Sequence, residues 1–256
     1  MVASTPYSTN LERLKAAQKP SRGTAAYGRY VNRPMGRVVA ASAHTVGMTP
    51  NAATLISALL SASGIAVLAL ARPSWLTGLA VAVLLAAGYV MDSVDGQLAR
   101  LRSQRSVRGE WLDHTVDCVK TSSLHLAVAI SWFRFPPVHS RAALLVPLLF
   151  AVVSAVTYFG LILMPYLREK APSPRAEREA APLAPENRWR RWLILPTDYG
   201  FLCWTFVLVG APLVFFWLYL ALAVLCTLML AAALLKWWRE LGALDAAASR
   251  QSVPSA

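Results

Sequence analysis

Residues 75–100 read Trp75-Leu-Thr-Gly-Leu-Ala-Val-Ala-Val-Leu-Leu-Ala-Ala-Gly-Tyr-Val-Met-Asp92-Ser-Val-Asp95-Gly96-Gln-Leu-Ala99-Arg100. No charge interrupts the stretch from Trp75 to Met91, and two aspartates three positions apart follow it. A helix needs about 20 mainly apolar residues to cross a hydrocarbon core about 30 Å thick. The stretch therefore predicts a spanning helix from Trp75 to about Asp95 whose polar end carries carboxylates. Ionisable groups at membrane depth are costly and mark functional positions.

The same reading applied outward predicts five more spans. One runs from about Ala52 to Ala71 and is joined to the helix from Trp75 by Arg72-Pro73. A third begins polar near Gly109, becomes apolar from Ser122 to Phe135 and stops at Pro136-Pro137. A fourth covers about Ala142 to Leu167, a fifth Pro196 to Val209, and a sixth Leu213 to Trp238 after the Gly210-Ala211-Pro212 turn. Strands are disfavoured, because open sheet edges cannot be satisfied in lipid. The expected fold is all-α: a polytopic membrane protein with six transmembrane helices. Tyr27 to Ala41 mixes Arg33 and Arg37 with Met35, Val38 and Val39, with Pro34 suited to a first turn. It reads either as an N-terminal interfacial amphipathic helix or as a solvated basic linker.

Composition agrees with a bilayer. Hydrophobic residues make up 56% of the 256 and charged residues 15%, where soluble domains carry about a quarter; the mean hydropathy is +0.46. The net charge of +12 does not point to nucleic acid, because the basic residues sit in blocks between apolar runs. Of the 25 Lys and Arg, 21 fall before the first span, in the second-to-third and fourth-to-fifth connections, and around the end of the sixth span. The alternate connections hold only Arg72, Arg134 and Arg141. The positive-inside rule puts both termini, and the aspartate end of the helices, in the cytoplasm, as in a bacterial-type plasma membrane. Blocks of this kind also suit anionic lipid headgroups. Cys118, Cys203 and Cys226 lie far apart and read as small apolar helix residues. No short apolar segment with a cleavage site opens the chain, so a secretory signal peptide is not expected. Residues 1–25 and 241–256 read as polar tails flanking a membrane domain at 26–240.

Four aspartates fall within 26 positions. Asp92 and Asp95 are three apart, and Asp113 and Asp117 are four apart, so each pair shares a helix face. A short connection would bring the two faces together. Four crowded carboxylates need cations, and an all-oxygen donor set suits Mg²⁺ or Mn²⁺. The structural alternative is helix capping and pairing with Arg105 or Arg108.

Asp92-Ser-Val-Asp95-Gly96-Gln-Leu-Ala99-Arg100, then eight residues, Gly109, three residues, Asp113, three residues and Asp117 resembles the CDP-alcohol phosphotransferase signature at every fixed position. The resemblance implies a CDP-linked donor, two divalent ions (Mg²⁺ or Mn²⁺), and attack of an alcohol on the donor's β-phosphoryl group with release of CMP. It implies that Asp92, Asp95, Asp113 and Asp117 hold metal and that Asp117 is also the general base. It places Asp92, Gly96, Ala99, Arg100 and Gly109 at the nucleotide; Asn51 and Thr54, at the start of the first span, either contact cytidine or cap that helix. It further implies a role in phospholipid biosynthesis with CDP-diacylglycerol as donor, and a homodimer. The same chemistry on a soluble CDP-alcohol donor is the alternative within the class, and a divalent metal transporter is the alternative outside it. Lys120, one turn beyond Asp117, reads as a partner of Asp117, as a cation that attracts an anionic acceptor, or as a snorkelling lysine; with Arg168, Arg190 and Arg191, and Arg188, it is a candidate for recognising an alcohol acceptor. Asp198 is expected to pair with one of the arginines, and His114 to face solvent.

Overall fold

The computed structural model describes residues 6–17, 25–103, 106–171, 192 and 194–251. Among these, every regular element is helical. Helix α1 is Tyr7–Ala16. A π-helical turn, Gly28–Asn32, leads into α2, Arg33–Thr45. The long helices are α3, Pro50–Leu70, α4, Trp75–Leu101, α5, Val107–Arg134, and α6, Leu145–Lys170. Helix α7, Tyr199–Thr205, runs into the 3-10 segment Phe206–Gly210. Helix α8, Pro212–Gln251, ends the described chain.

Local chemistry sets the starts of these helices. Thr49 caps α3 by accepting from Ala52 N, with Pro50 in the first turn. Ser74 caps α4 by accepting from Thr77 N at 3.0 Å, and Ser106 caps α5 by accepting from Gly109 N at 3.0 Å. Each cap satisfies an N–H that the helix itself leaves open. Helix α2 stops at Gly47, whose φ of 78° is a conformation glycine adopts without a Cβ clash. The Met48 N–H then donates to the Ala43 carbonyl at 3.0 Å, in the manner of a Schellman end.

Helices α3, α4, α6 (with the turn Arg141–Leu144) and α8 are long and apolar enough to cross a membrane. Together with the helical content this makes an all-α membrane protein. Two of the six expected spans differ from that pattern. The 28-residue α5 has the length, but its first half carries Glu110, Asp113, Asp117 and Lys120. The segment expected at Pro196–Val209 is broken into Leu195–Thr197, α7 and Phe206–Gly210, because Asp198 caps a new helix in its midst.

Both polar tails also contain structure. Residues 7–16 form α1, with Leu14 fully buried against Ala40 and Leu98. The last helix continues past Trp238 through Gln251; its Ala-rich run supports helix without needing burial. Tyr27–Ala41 is helical rather than a linker: α2 buries Gly36, Ala40 and Ala41 against α4 while Met35 and Val38 stay exposed.

Lipid gives no hydrophobic drive for helix pairing, so close contact falls to small residues and polar links. Ser57, Ser61 and Gly64 form a small-residue seam on α3 against α4. The Ser57 hydroxyl donates to the Gly88 carbonyl at 2.8 Å, and a Cβ on Gly88 would run into Ser61 Oγ and lie 3.2 Å from the Ser57 carbonyl. Gly88→Val is therefore expected to cost about 1–3 kcal/mol by overpacking, measured as a lower thermal midpoint. Gly88 lies one turn before Asp92, so activity should fall with it. On the other flank, buried His125 of α5 joins α6 and α8. Its Nδ1 is 2.6 Å from Tyr219 Oη and its Nε2 2.7 Å from Ser154 Oγ, with Phe150 stacked on the ring.

Candidate active site

The α4–α5 connection is short, and it turns with Ser103 in the left-handed region, φ 51°. Helix α3 packs against both α4 and α5, and the C-terminal end of α4 meets the N-terminal half of α5 through side chains that reach across between them. The carboxylates of Asp92, Asp113 and Asp117 converge there, and one oxygen from each lies within 4.8 Å of the others. Asp95 is held differently. Its Oδ2 accepts from Thr54 Oγ1 at 2.7 Å and its Oδ1 accepts from Gly96 N. Asp95 lies three positions from Asp92 on the same helix. Asp92, Asp113 and Asp117 thus form the acidic cluster, with Asp95 held beside it by Thr54.

Lys120 enters this site from α5. Its side chain is only 6% exposed, and Nζ lies 2.9 Å from Asp92 Oδ1 and 2.6 Å from Asp117 Oδ1. The ring of Tyr199 stands on its other side, 5.3 Å from Nζ to the centroid. Lys120 is thus a partner of the aspartates in this structure. Four carboxylates against one ammonium leave a surplus of negative charge, and the donor set is entirely oxygen. That chemistry fits a hard divalent cation.

The residues expected at the nucleotide gather at the same end of the bundle. Thr54 is buried, one helical turn from the start of α3, and supports Asp95. Asn51 is exposed at that start, and a Cβ placed on Gly109 would lie 3.2 Å from its Oδ1. Gly96 has ordinary space around it, with Arg100 Nη1 as its near neighbour. Ala99 is half-buried on the same helix.

The acceptor candidates divide. Arg168 grips Glu240 of α8 through two bonds, Nε–Oε1 at 2.5 Å and Nη2–Oε2 at 2.9 Å. Arg188, Arg190 and Arg191 lie outside the described residues. Among the described residues, Asp198 is held by backbone N–H groups. Its Oδ2 accepts from Gly28 N at 2.9 Å and its Oδ1 from Gly200 N at 2.8 Å, which ties the N-terminal segment to α7. Exposed His114 meets Tyr158, whose hydroxyl donates to the His114 carbonyl at 2.8 Å. The three cysteines are free.

Sequence reasoning missed the aromatic wall of the site. Tyr89, one turn before Asp92, stacks on Tyr27 and meets Tyr199 edge-on at 5.4 Å between centroids. The position of Tyr89 on the aspartate helix was a usable signal. Tyr199 carried none, because it reaches the site only through the tertiary placement of α7.

No curated protein matches the chain. The family model for CDP-alcohol phosphatidyltransferase matches residues 47–241, from just before α3 to the outer part of α8, and so takes in the whole acidic site. The chain accordingly belongs to the CDP-alcohol phosphatidyltransferase family, a family of phosphotransferases.

Proposed function

We propose that the protein transfers a phosphatidyl group from CDP-diacylglycerol to an alcohol and releases CMP, as a step of phospholipid biosynthesis. The observation that carries this reading is the convergence of Asp92, Asp113 and Asp117 within 4.8 Å at the end of apolar helices. Asp92, Asp95, Asp113 and Asp117 would hold two divalent ions, Mg²⁺ or Mn²⁺. Bound there, the ions would neutralise the pyrophosphate and stabilise charge on the departing CMP.

The chain's own residues do the rest. Asn51, Gly96, Ala99, Arg100 and Gly109 surround the place for the nucleotide, with Thr54 orienting Asp95 by its hydroxyl. Arg100 offers phosphate a planar fork of donors. Asp117 takes the acceptor hydroxyl proton as the β-phosphoryl oxygen bond forms, and the bond to CMP breaks on the opposite side. General-base work of this kind needs hydrogen-bond reach before strong basicity. The basic blocks put this end of the bundle at the cytoplasmic face. Helix α5 and the broken segment around α7 complete six crossings in this reading, and α2 lies in the interface with Met35 and Val38 toward lipid.

The distribution of acids disfavours a transporter. Apart from the four aspartates and Glu110, the acidic residues from α3 to the end of α8 are Glu169, Glu177, Glu179, Glu186, Asp198, Glu240 and Asp245, and all of these but Asp198 fall outside the apolar runs. The direct test supplies purified protein in lipid with Mg²⁺ or Mn²⁺, offers CDP-diacylglycerol or a soluble CDP-alcohol with a panel of alcohols, and measures CMP. CMP released with the lipid donor alone is the expected result. Release with the soluble donor alone would move the protein to non-glycerolipid phosphodiester synthesis, and none from any pair by folded protein would count against the enzyme reading.

A further inference from the structure

Lys120 and a divalent cation would claim the same carboxylates. The ammonium lies 2.9 Å from Asp92 and 2.6 Å from Asp117, and both aspartates belong to the three-carboxylate group. A lysine there is expensive to desolvate, and it is tolerated because two carboxylates face it. We infer that Lys120 is a tethered counter-cation: it neutralises Asp92 and Asp117 while the site holds no metal, and it moves off them when a divalent cation enters. Lys120 thereby sets the metal affinity of the site.

Three features make the exchange workable. The four-carbon stem lets the ammonium move without the helix moving. Tyr199 offers the displaced charge an aromatic face, already 5.3 Å away. The carboxylates that the ammonium leaves are taken over by the entering cation, so neither set of charges is left uncompensated. The consequence is a trade-off. Lys120 keeps the empty site from being driven apart by its own repulsion, and it weakens metal binding by competing for two ligands. The inference rests on the reading that the aspartates hold a divalent cation.

The test uses full-length protein in lipid nanodiscs and Mn²⁺ alone, with free Mn²⁺ followed by electron paramagnetic resonance. K120M is expected to bind Mn²⁺ roughly 10- to 100-fold more tightly than wild type, as loss of a cation within a few ångströms of two ligands implies. Without metal it should melt below wild type, and saturating Mn²⁺ should close that gap. K120R, which keeps the charge, should stay near wild type in both. A lysine that only supported the fold would give the opposite sign, with weaker metal binding when replaced. Should K120M not survive metal-free, K120Q and a chelator chase of Mn²⁺-loaded protein keep the comparison; Mn²⁺ should leave both variants more slowly than wild type. Unchanged or weaker Mn²⁺ binding by folded K120M and K120Q overturns the inference alone. Absence of Mn²⁺ binding by wild type and all variants overturns the metal reading and the inference together.

Discussion

Asp117→Asn is expected to lower CMP release by about 10²–10⁴-fold, the usual worth of a positioned general base, while donor binding in saturating Mn²⁺ falls by less than about tenfold. The two effects separate because Asp117 is given two duties. As one of three convergent carboxylates it would contribute to the proposed cation site, where an amide oxygen would still coordinate weakly and Asp92, Asp95 and Asp113 would remain. As proton acceptor it has no substitute, since an amide cannot take the proton. Asp92→Asn is the control, because it removes a carboxylate that the reading assigns to metal and nucleotide alone. Equal loss of nucleotide binding in the two variants would overturn this division of roles.

Removal of the cation should have the other large effect. Chelation is expected to bring CMP release to background, and added Mg²⁺ or Mn²⁺ should restore it in wild type. Asp113→Asn should not recover at concentrations that saturate wild type, because a direct ligand is lost. Even residues that merely orient ligands cost about 10–100-fold in metal affinity when changed, and a ligand should cost at least that. Asp113 is the better choice for this test than Asp92. The ion pairs of Lys120 go to Asp92 and Asp117, so Asp113→Asn changes the donor set with least disturbance to the lysine. Circular dichroism of Asp113→Asn matching wild type would separate loss of metal from loss of fold. Full restoration of Asp113→Asn by wild-type levels of metal would remove Asp113 from the ligand set.

The aspartate spacing was legible without a structure, and so was the helix that carries Asp92. A 3.6-residue repeat puts positions three or four apart on one face wherever the helix sits, and the apolar run from Trp75 sets its length against the bilayer. The starts of α3, α4 and α5 were also written locally, in Thr49, Ser74 and Ser106. The broken span around α7 was not, because Asp198 reads as one more charged residue until its two oxygens are seen holding Gly28 N and Gly200 N. Helix α1 was hidden for a similar reason: a polar segment with one buried leucine is stabilised by what it docks on, not by its composition.

The sequence by itself therefore determined the class of protein, the helix that bears the acids, and the chemistry those acids suit. All three follow from composition, period and residue type, which are properties of the chain at short range. Only the tertiary structure decided which carboxylates converge, that Asp95 is the one held by Thr54, and that Lys120, three positions from Asp117 on its own helix, also reaches Asp92 on α4. Those facts depend on how α3, α4, α5 and α7 are set against one another, and pairwise distances across helices are not encoded in the spacing along any one of them.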